Sequence, residues 1–304
     1  MIAVLCGGVG AAKYLSGLVR VVPPAEVTAI VNTGDDVTLH GLRVCPDLDT
    51  VTYTLAGAVN PETGWGLTGE TWAAMDALER YSSLTWFRLG DRDLATHLFR
   101  TQRLAEGSTL AEVTAAVAAA WGIGARLLPM TNDPVETRVQ VAEGEIGFQE
   151  YFVQRRHAVT VTAVRFAGVD VAVPAPGVLA ALEGAERVVV APSNPVVSIG
   201  PVLAVPGVRE CLAARRDDVW AVSPIVAGAA LKGPADRLMA ELGMEPSVVG
   251  VARLYADFAG TLVVDRADGE RAGEVEAAGV RCVVAPTIMS GPDEAAALAE
   301  VTLG

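Results

Sequence analysis

The run Met1-Ile-Ala-Val-Leu-Cys-Gly-Gly-Val-Gly-Ala-Ala-Lys13 decides how the rest of the chain is read. Ile2 to Leu5 is a short apolar run of buried-strand type that stops at glycine. Gly7, Gly8 and Gly10 give a turn without Cβ atoms, so backbone amides can lie directly against a ligand. From Ala11 to Arg20 the spacing predicts a helix with Tyr14, Leu15, Leu18 and Val19 on one face. A strand, a bare glycine turn and a helix N-terminus make an anion site, because free amides and the positive dipole end point the same way. Two familiar phosphate loops fit poorly. No Gly-x-x-x-x-Gly-Lys-Ser/Thr run is present. A G-x-G-x-x-G fingerprint starting at Gly8 puts Lys13 where the third glycine belongs. Lys13 is a cation one turn into the helix, placed to meet a phosphate or the solvent.

Working outward, 304 residues can bury one large or two modest cores. Apolar residues make up 51% and the mean hydropathy is +0.38, yet no run approaches the length of a membrane span. A large parallel sheet covered on both faces accounts for both facts. With a strand read from residue 2, no signal peptide is expected. Cys6, Cys45, Cys211 and Cys282 show no CxxC spacing, so neither disulfides nor zinc are expected, and the compartment is expected to be the cytoplasm. The net charge of −13 argues against nucleic acid or a membrane surface as partner. An anionic substrate must then be met by local cations, glycine amides or a metal.

Glu26 to Val31 is a second strand, ending in Asn32-Thr-Gly-Asp-Asp36, where open α/β sheets bind ligands. Val37 to Val44 is extended and leads into Cys45-Pro-Asp-Leu-Asp-Thr50. Asp49 or its neighbour is placed to cap a helix through Val51, Tyr53, Leu55 and Ala56. Capping cannot absorb all of Asp35, Asp36, Asp47 and Asp49. A divalent cation held by one or two of them suits magnesium's preference for few carboxylates plus phosphate and water. Asp35 and Asp49 are the expected ligands.

Residues 60–124 read as a helical insertion forming a smaller subdomain, between core segments 1–59 and 125–304. Thr68 is expected to open a helix with Trp72, Met75 and Leu78 inward. Thr109-Leu-Ala-Glu112 is a capping box for another helix. Arg88, Asp91, Arg92 and Asp93 make a knot too charged for a core, either a surface salt-bridge cluster or a substrate-binding lip. His97 beside it reads as structural. Beyond 125, the residues Thr137 to Ile146 suggest a hairpin. Phe148-Gln-Glu-Tyr-Phe152 can pack, bind a flat ring, or both. Strands at Arg187–Ala191, Val219–Val222 and Val280–Ala285 each end in small or polar loops, among them Pro192-Ser-Asn-Pro195. The expected fold is α/β, a doubly wound, mostly parallel, Rossmann-like sheet with its loops converging on one edge.

Taken together and in order, several motifs resemble the 2-phospho-L-lactate transferases of coenzyme F420 biosynthesis. They are Gly7-Gly-Val-Gly10, Asn32-Thr-Gly-Asp-Asp36, Cys45-Pro-Asp-Leu-Asp-Thr50, Arg88-Leu-Gly-Asp-Arg-Asp-Leu94, Pro129-Met-Thr, Phe148-Gln-Glu-Tyr-Phe152, Pro192-Ser-Asn-Pro195 and Leu231-Lys-Gly-Pro234. The departure is Val9, where many members have threonine. The Ala-, Val- and Arg-rich makeup is similar to actinobacterial members, which use a phosphoenolpyruvate-derived donor. The resemblance implies transfer of a phospholactyl or phosphoenolpyruvyl group from a guanosine diphosphate ester to the ribityl hydroxyl of the deazaflavin Fo. GMP is released, magnesium is required, and a homodimer is common. It implies Fo contacts at Asp49 and Arg88. A nucleotide site follows from Gly7, Gly8, Gly10, Lys13, Asn32, Thr33, Asp36, Ser193, Asn194 and Ser198. Asp49 and Asp35 are then the catalytic candidates. Two rivals remain: an NAD(P)-dependent dehydrogenase, and a non-catalytic nucleotide-sugar-binding regulator of a related morphogenesis family.

Overall fold

Short runs without polar alternation, such as Ile2–Cys6, Val27–Val31 and Val219–Val222, are buried at every position, as strands covered on both faces must be. They form the centre of a computed structural model that describes residues 1–81 and 84–304. In chain order, the first part comprises β1 (Ile2–Cys6), α1 (Gly8–Val21), β2 (Val27–Val31), β3 (Val37–Leu39), β4 (Leu42–Val44), α2 (Pro46–Leu55), α3 (Ala73–Leu78), α4 (Asp93–Ala105), α5 (Leu110–Ala120) and β5 (Arg126–Pro129). Then come β6 (Glu136–Val141), β7 (Gly144–Gly147), β8 (Ala163–Ala167), α6 (Val178–Gly184), β9 (Arg187–Val190), α7 (Gly200–Ala204), α8 (Val208–Ala214) and β10 (Val219–Val222). The last part holds β11 (Ile225–Val226), β12 (Ala229–Ala230), α9 (Ala235–Glu241), α10 (Val248–Tyr255), β13 (Thr261–Val264), α11 (Ala272–Ala277), β14 (Arg281–Val284) and α12 (Pro292–Leu303).

Seven strands pair in parallel in the order β14-β13-β10-β9-β1-β2-β5. Alternate residues face opposite layers. Ala3, Leu5, Val188 and Val190 join a core with α6, α8 and α10, whereas Val4, Cys6, Val189 and Val222 join one with α1, α2, α5 and α12. The sheet is therefore doubly wound. From β1 the chain moves outward through β2 to β5, then returns to the other side of β1 as β9. Strand order thus reverses between β1 and β9, the place where such sheets open a ligand crevice at their C-terminal edge. A separate antiparallel sheet, β7-β6-β8, contains the expected hairpin.

Three local expectations change. α1 begins at Gly8 rather than Ala11, because the glycine run forms its first turn. Val37 to Val44 folds back on itself as a β3–β4 hairpin, turning at His40 and Gly41. Thr68 opens no helix: α3 covers only Ala73–Leu78, and Trp72 before it is 36% exposed. The capping box forms as read, with Thr109 and Glu112 closing on each other's amides. No single helix among the described residues is long and apolar enough to cross a membrane.

α1 and α12 cross closely at Gly17, where an added Cβ would stand 2.2 Å from the Ala295 carbonyl carbon. Gly17→Ala should force the helices apart at an overpacking cost of about 1–3 kcal/mol. The expected thermal midpoint falls by about 2–10 °C with helix content retained. An unchanged melt would show the crossing to be slack.

Candidate active site

The β1 turn and the β9 loop touch at the crevice. Ser193 Oγ donates to the Gly7 carbonyl at 2.9 Å, and the Gly7 amide points back at Ser193 Oγ at 3.4 Å. A Cβ at Gly10 would lie 2.3 Å from the Pro192 carbonyl oxygen, and one at Gly7 would lie 2.6 Å from Asp47 Oδ2. Only glycine fits either place. Asn194 accepts from the Val196 and Val197 amides at 2.9 and 3.3 Å, which starts the π-helical turn carrying Ser198.

Asp47 occupies the start of α1. Its Oδ1 accepts the Gly8 amide at 2.8 Å and its Oδ2 accepts Asn32 Nδ2 at 2.9 Å. A residue of α2 thus caps a different helix. Burial pushes Asp47 up to about 6. Burial, followed by the charge of Asp47, also raises Asp35, whose Oδ1 is buried without a hydrogen-bond partner among the described residues.

Asp49 does not cap α2, whose N-cap Cys45 supplies no side-chain bond. Arg100 of α4 instead grips both of its oxygens, Nη1 reaching Oδ2 at 3.1 Å and Nη2 reaching Oδ1. Burial opposes the Arg100 charge, but the Asp49 carboxylate more than offsets it and raises the guanidinium's pKa. Arg100 Nη1 also lies 3.3 Å from His97 Nδ1, and His97 Nε2 is 3.1 Å from Asp93 Oδ2. The arginine has only donors, so Nδ1 is the acceptor of that pair, while Nε2 lies close to Asp93 without forming a hydrogen bond. Tyr53 donates to Asp93 Oδ1 at 2.5 Å. Asp36 lies deeper, accepting from Arg43 at 3.1 Å and Cys45 Sγ at 3.0 Å, and burial pushes it up to about 7.

The knot at 88–93 divides by role. Asp91 accepts the Ala73 and Ala74 amides, and Glu70 accepts those of Arg92 and Asp93. These are helix-end contacts. Arg88 pairs with Asp76, sits 3.8 Å from Glu79, and stacks 5.3 Å from the Trp72 ring centre.

One cavity of about 960 Å³ runs from the crevice to this segment. Its wall holds Gly7, Gly8, Gly10, Lys13, Asp35, Asp49, Arg88, Ser193, Asn194 and Ser198 of the expected residues. Asn32, Thr33 and Asp36 are buried behind that wall. Asp47, Asp93 and His97 also line it, next to the buried Arg100. The sequence signal for that group was the spacing Asp93, His97, Arg100 on one helix face. Trp72, Trp86, Phe87, Phe148 and Phe152 make an aromatic side, with Phe148 and Phe152 stacked at 5.5 Å.

Two donor sets could take a cation. Asp35 offers an unpartnered buried oxygen on the cavity wall, the hard donor magnesium takes. Ligand atoms of Asp49, Asp93 and His97 lie within 4.8 Å of one another, although Arg100 already holds the Asp49 oxygens.

A crevice at the strand reversal, a glycine cradle and buried carboxylates beside it define an α/β enzyme of the phosphate-ester-binding class. Residues 2–283 match the family model described as 2-phospho-L-lactate transferase CofD. The chain belongs to this family and is a transferase, which sets aside the dehydrogenase and regulator readings. It is 49% identical to a phosphoenolpyruvate transferase of Streptomyces griseus subsp. griseus, over 99% of this chain and 97% of that one. The protein of the same name from Thermobifida fusca is 46% identical, covering 98% and 95%. That of Mycobacterium ulcerans is 43% identical, covering 99% and 97%. Among solved structures, a Bacillus halodurans protein of the UPF0052 family shares the fold, with a TM-score of 0.65, 15% identity, and 100% and 99% of the two chains covered.

Two predictions follow from these contacts. If Asp49 were a cap, Asp49→Asn would change stability by a few tenths of a kcal/mol. The Arg100 grip predicts a loss of about 3–5 kcal/mol, because a buried guanidinium is left unpaired. Asp49→Asn/Arg100→Met should recover much of it in denaturant titrations. A normal melt for Asp49→Asn alone would return that residue to a capping role.

The second concerns pH. Folded Asp35 and Asp47 hold protons that the unfolded chain releases near its ordinary aspartate pKa, so the folded state binds more protons above about pH 4. Their contribution to stability therefore falls as pH rises above about 4, for Asp47 through its folded value of about 6 and for Asp35 through its own raised value, and stays lost above those. In chelator, Asp35→Asn should melt higher than wild type at pH 8, with the gap closing toward pH 4. A gap independent of pH would refute the buried-carboxylate account.

Proposed function

We propose that this transferase moves a phosphoenolpyruvyl or phospholactyl group from a guanosine diphosphate ester to the ribityl hydroxyl of the deazaflavin Fo. The products are a coenzyme F420 precursor and GMP. One observation carries the reading: a single cavity joins the glycine cradle at the β1–β9 crevice to an aromatic wall. A diphosphate and a flat ring system fit its two ends. The phosphoenolpyruvate transferase name of the relatives favours the enolpyruvyl donor.

In this reaction the hydroxyl oxygen bonds to the distal phosphorus as its bond to the bridging oxygen breaks. GMP leaves with the electron pair, and the hydroxyl proton is lost. Such transfers depend on positioning and charge neutralisation more than on covalent catalysis. The Val9 and Gly10 amides and Lys13 bind phosphate oxygens. Asp49, fixed by Arg100, orients the acceptor hydroxyl and accepts its proton. Arg88 holds the acceptor beside Trp72, and the aromatic wall keeps out water, the competing nucleophile. Asp35 and Asp49 would hold magnesium, which when bound neutralises charge on the diphosphate.

The test is incubation with Fo, magnesium and each guanylylated donor, read by mass spectrometry. Equal amounts of GMP and the phosphodiester of Fo are expected; no new phosphodiester with either donor would overturn the reading. Arg88→Ala should raise the Fo KM by about tenfold, at the low end for a charge-assisted hydrogen bond because the side chain is 42% exposed. The donor KM should hold. Loss of donor affinity instead would move Arg88 to the nucleotide end.

A further inference from the structure

Lysine is nearly absent from this chain. Of 23 basic side chains, Lys13 and Lys232 are the two lysines and all others are arginine. Both line the same cavity. They enter from different elements, Lys13 from α1 and Lys232 from the segment joining β12 to α9. Among the described residues neither pairs with a carboxylate. Each ammonium has one protein acceptor: Lys13 Nζ donates to the Met289 carbonyl at 3.4 Å, and Lys232 Nζ donates to the Thr63 carbonyl at 3.2 Å. An ammonium has three donors, so two remain on each.

Lys232 is tied to the glycine cradle through the turn it holds. Gly64 and Asn60 close that turn, with the Gly64 amide on the Asn60 carbonyl at 2.8 Å and the Asn60 amide on the Gly66 carbonyl at 3.0 Å. Val59 and Leu67 bridge its base. At its tip, a Cβ on Gly64 would lie 2.8 Å from Val9 Cγ1 and 3.4 Å from Lys232 Nζ. One backbone point therefore touches both the glycine loop and the ammonium. The 60–66 turn roofs the cradle, and Lys232 pins it.

We propose that Lys13 and Lys232 form a two-sided clamp on the donor's diphosphate, and that the Lys232 ammonium bridges this ligand to the 60–66 turn. The proposal rests on the donor assignment above and deepens it. With one N–H on Thr63, two can reach phosphate oxygens, so a bound diphosphate and the roof share one cation. The residue type matters. Arginine presents a rigid planar fork suited to fixed bidentate partners, whereas an ammonium is a compact point charge with rotatable donors. A phosphoryl group changes its oxygen geometry during transfer, and the compact charge can follow it.

The experiment uses the full chain in magnesium buffer, with inorganic pyrophosphate and GDP as probes, measured by calorimetry and by hydrogen exchange of residues 60–66. Lys232→Met should weaken both ligands about tenfold or more and abolish the exchange protection they give the turn. Lys232→Arg should restore most of the affinity while turnover stays depressed. Lys13→Met should lose affinity but keep residual protection of the turn. If Lys232→Met binds pyrophosphate and protects the turn like wild type, the clamp is wrong, and Fo transfer by wild type would still stand. If binding and protection follow this pattern while no donor yields an Fo phosphodiester, the clamp stands and the donor–acceptor assignment falls.

Discussion

The close approach of the β1 turn to the β9 loop is the constraint on which the rest of the site depends. Without a Cβ at Gly10 the Pro192 carbonyl can lie directly over the first turn of α1, and without one at Gly7 the side chains of Asp47, Asn32 and Ser198 converge on a single backbone point. Parallel pairing of β1 with both β2 and β9 brings those loops to the same sheet edge. A methyl group at either glycine would push α1 away from the crevice. Asp47 would then lose the Gly8 amide it caps, and the cradle's amides would no longer line up. The glycines matter here through the space they leave, more than through unusual backbone angles.

The buried carboxylates around this edge are of two kinds. Asp49, Arg100, Asp93 and His97 pair with one another across α2 and α4, with both Asp49 oxygens held by Arg100 and His97 Nε2 within 3.1 Å of Asp93 but not hydrogen-bonded. Such a group locks two helices in register and leaves little charge to spare. Among the described residues Asp35 and Asp47 have no cationic partner, and burial leaves both reluctant to ionise. A structure gains nothing from leaving a carboxylate oxygen buried and unbonded. Perturbed acids in a cavity are the usual mark of a working site. The contrast separates Asp49, whose charge is matched by Arg100, from Asp35 and Asp47, which line the cavity with no cation beside them among the described residues.

The strands were legible because both-face burial writes uninterrupted apolar runs, and β1, β2, β9 and β10 fell where those runs lie, while the half-exposed edge strand β14 was legible from its valines alone. β13 and α10 escaped the reading although the signal was there, Thr261–Val264 being a mostly apolar run buried at every position and Val248–Tyr255 a helix with six of its eight residues buried. The glycine cradle and the aspartate cluster could be read as local patterns. Their partners could not. Arg100 meets Asp49 across 51 positions, and Asp47 caps a helix that begins 39 residues earlier. A capping aspartate is conventionally sought at its own helix, so Asp49 or its neighbour was the candidate there, whereas Asp47 serves α1 and Asp49 meets Arg100. His97 keeps its structural reading, but its neighbours, Asp93 at one ring nitrogen and Arg100 at the other, could not be seen from the sequence.

Net charge and local charge answer different questions in this protein. A total of −13 sets the far field, but at physiological salt that field is screened over about 8 Å. Inside the cavity the nearest groups decide, and there the carboxylates are either paired, as Asp49 is, or raised toward neutrality, as Asp35 and Asp47 are. Lys13 and Lys232 keep unpaired charge on the same walls. An anion at the crevice therefore meets the glycine-turn amides and two ammonium groups, with Asp35 the carboxylate whose charge burial suppresses most. Ionising Asp35 and Asp47 together without a cation would reverse that balance. The burial that raises both carboxylates is thus also what makes their ionisation at this wall costly to the fold.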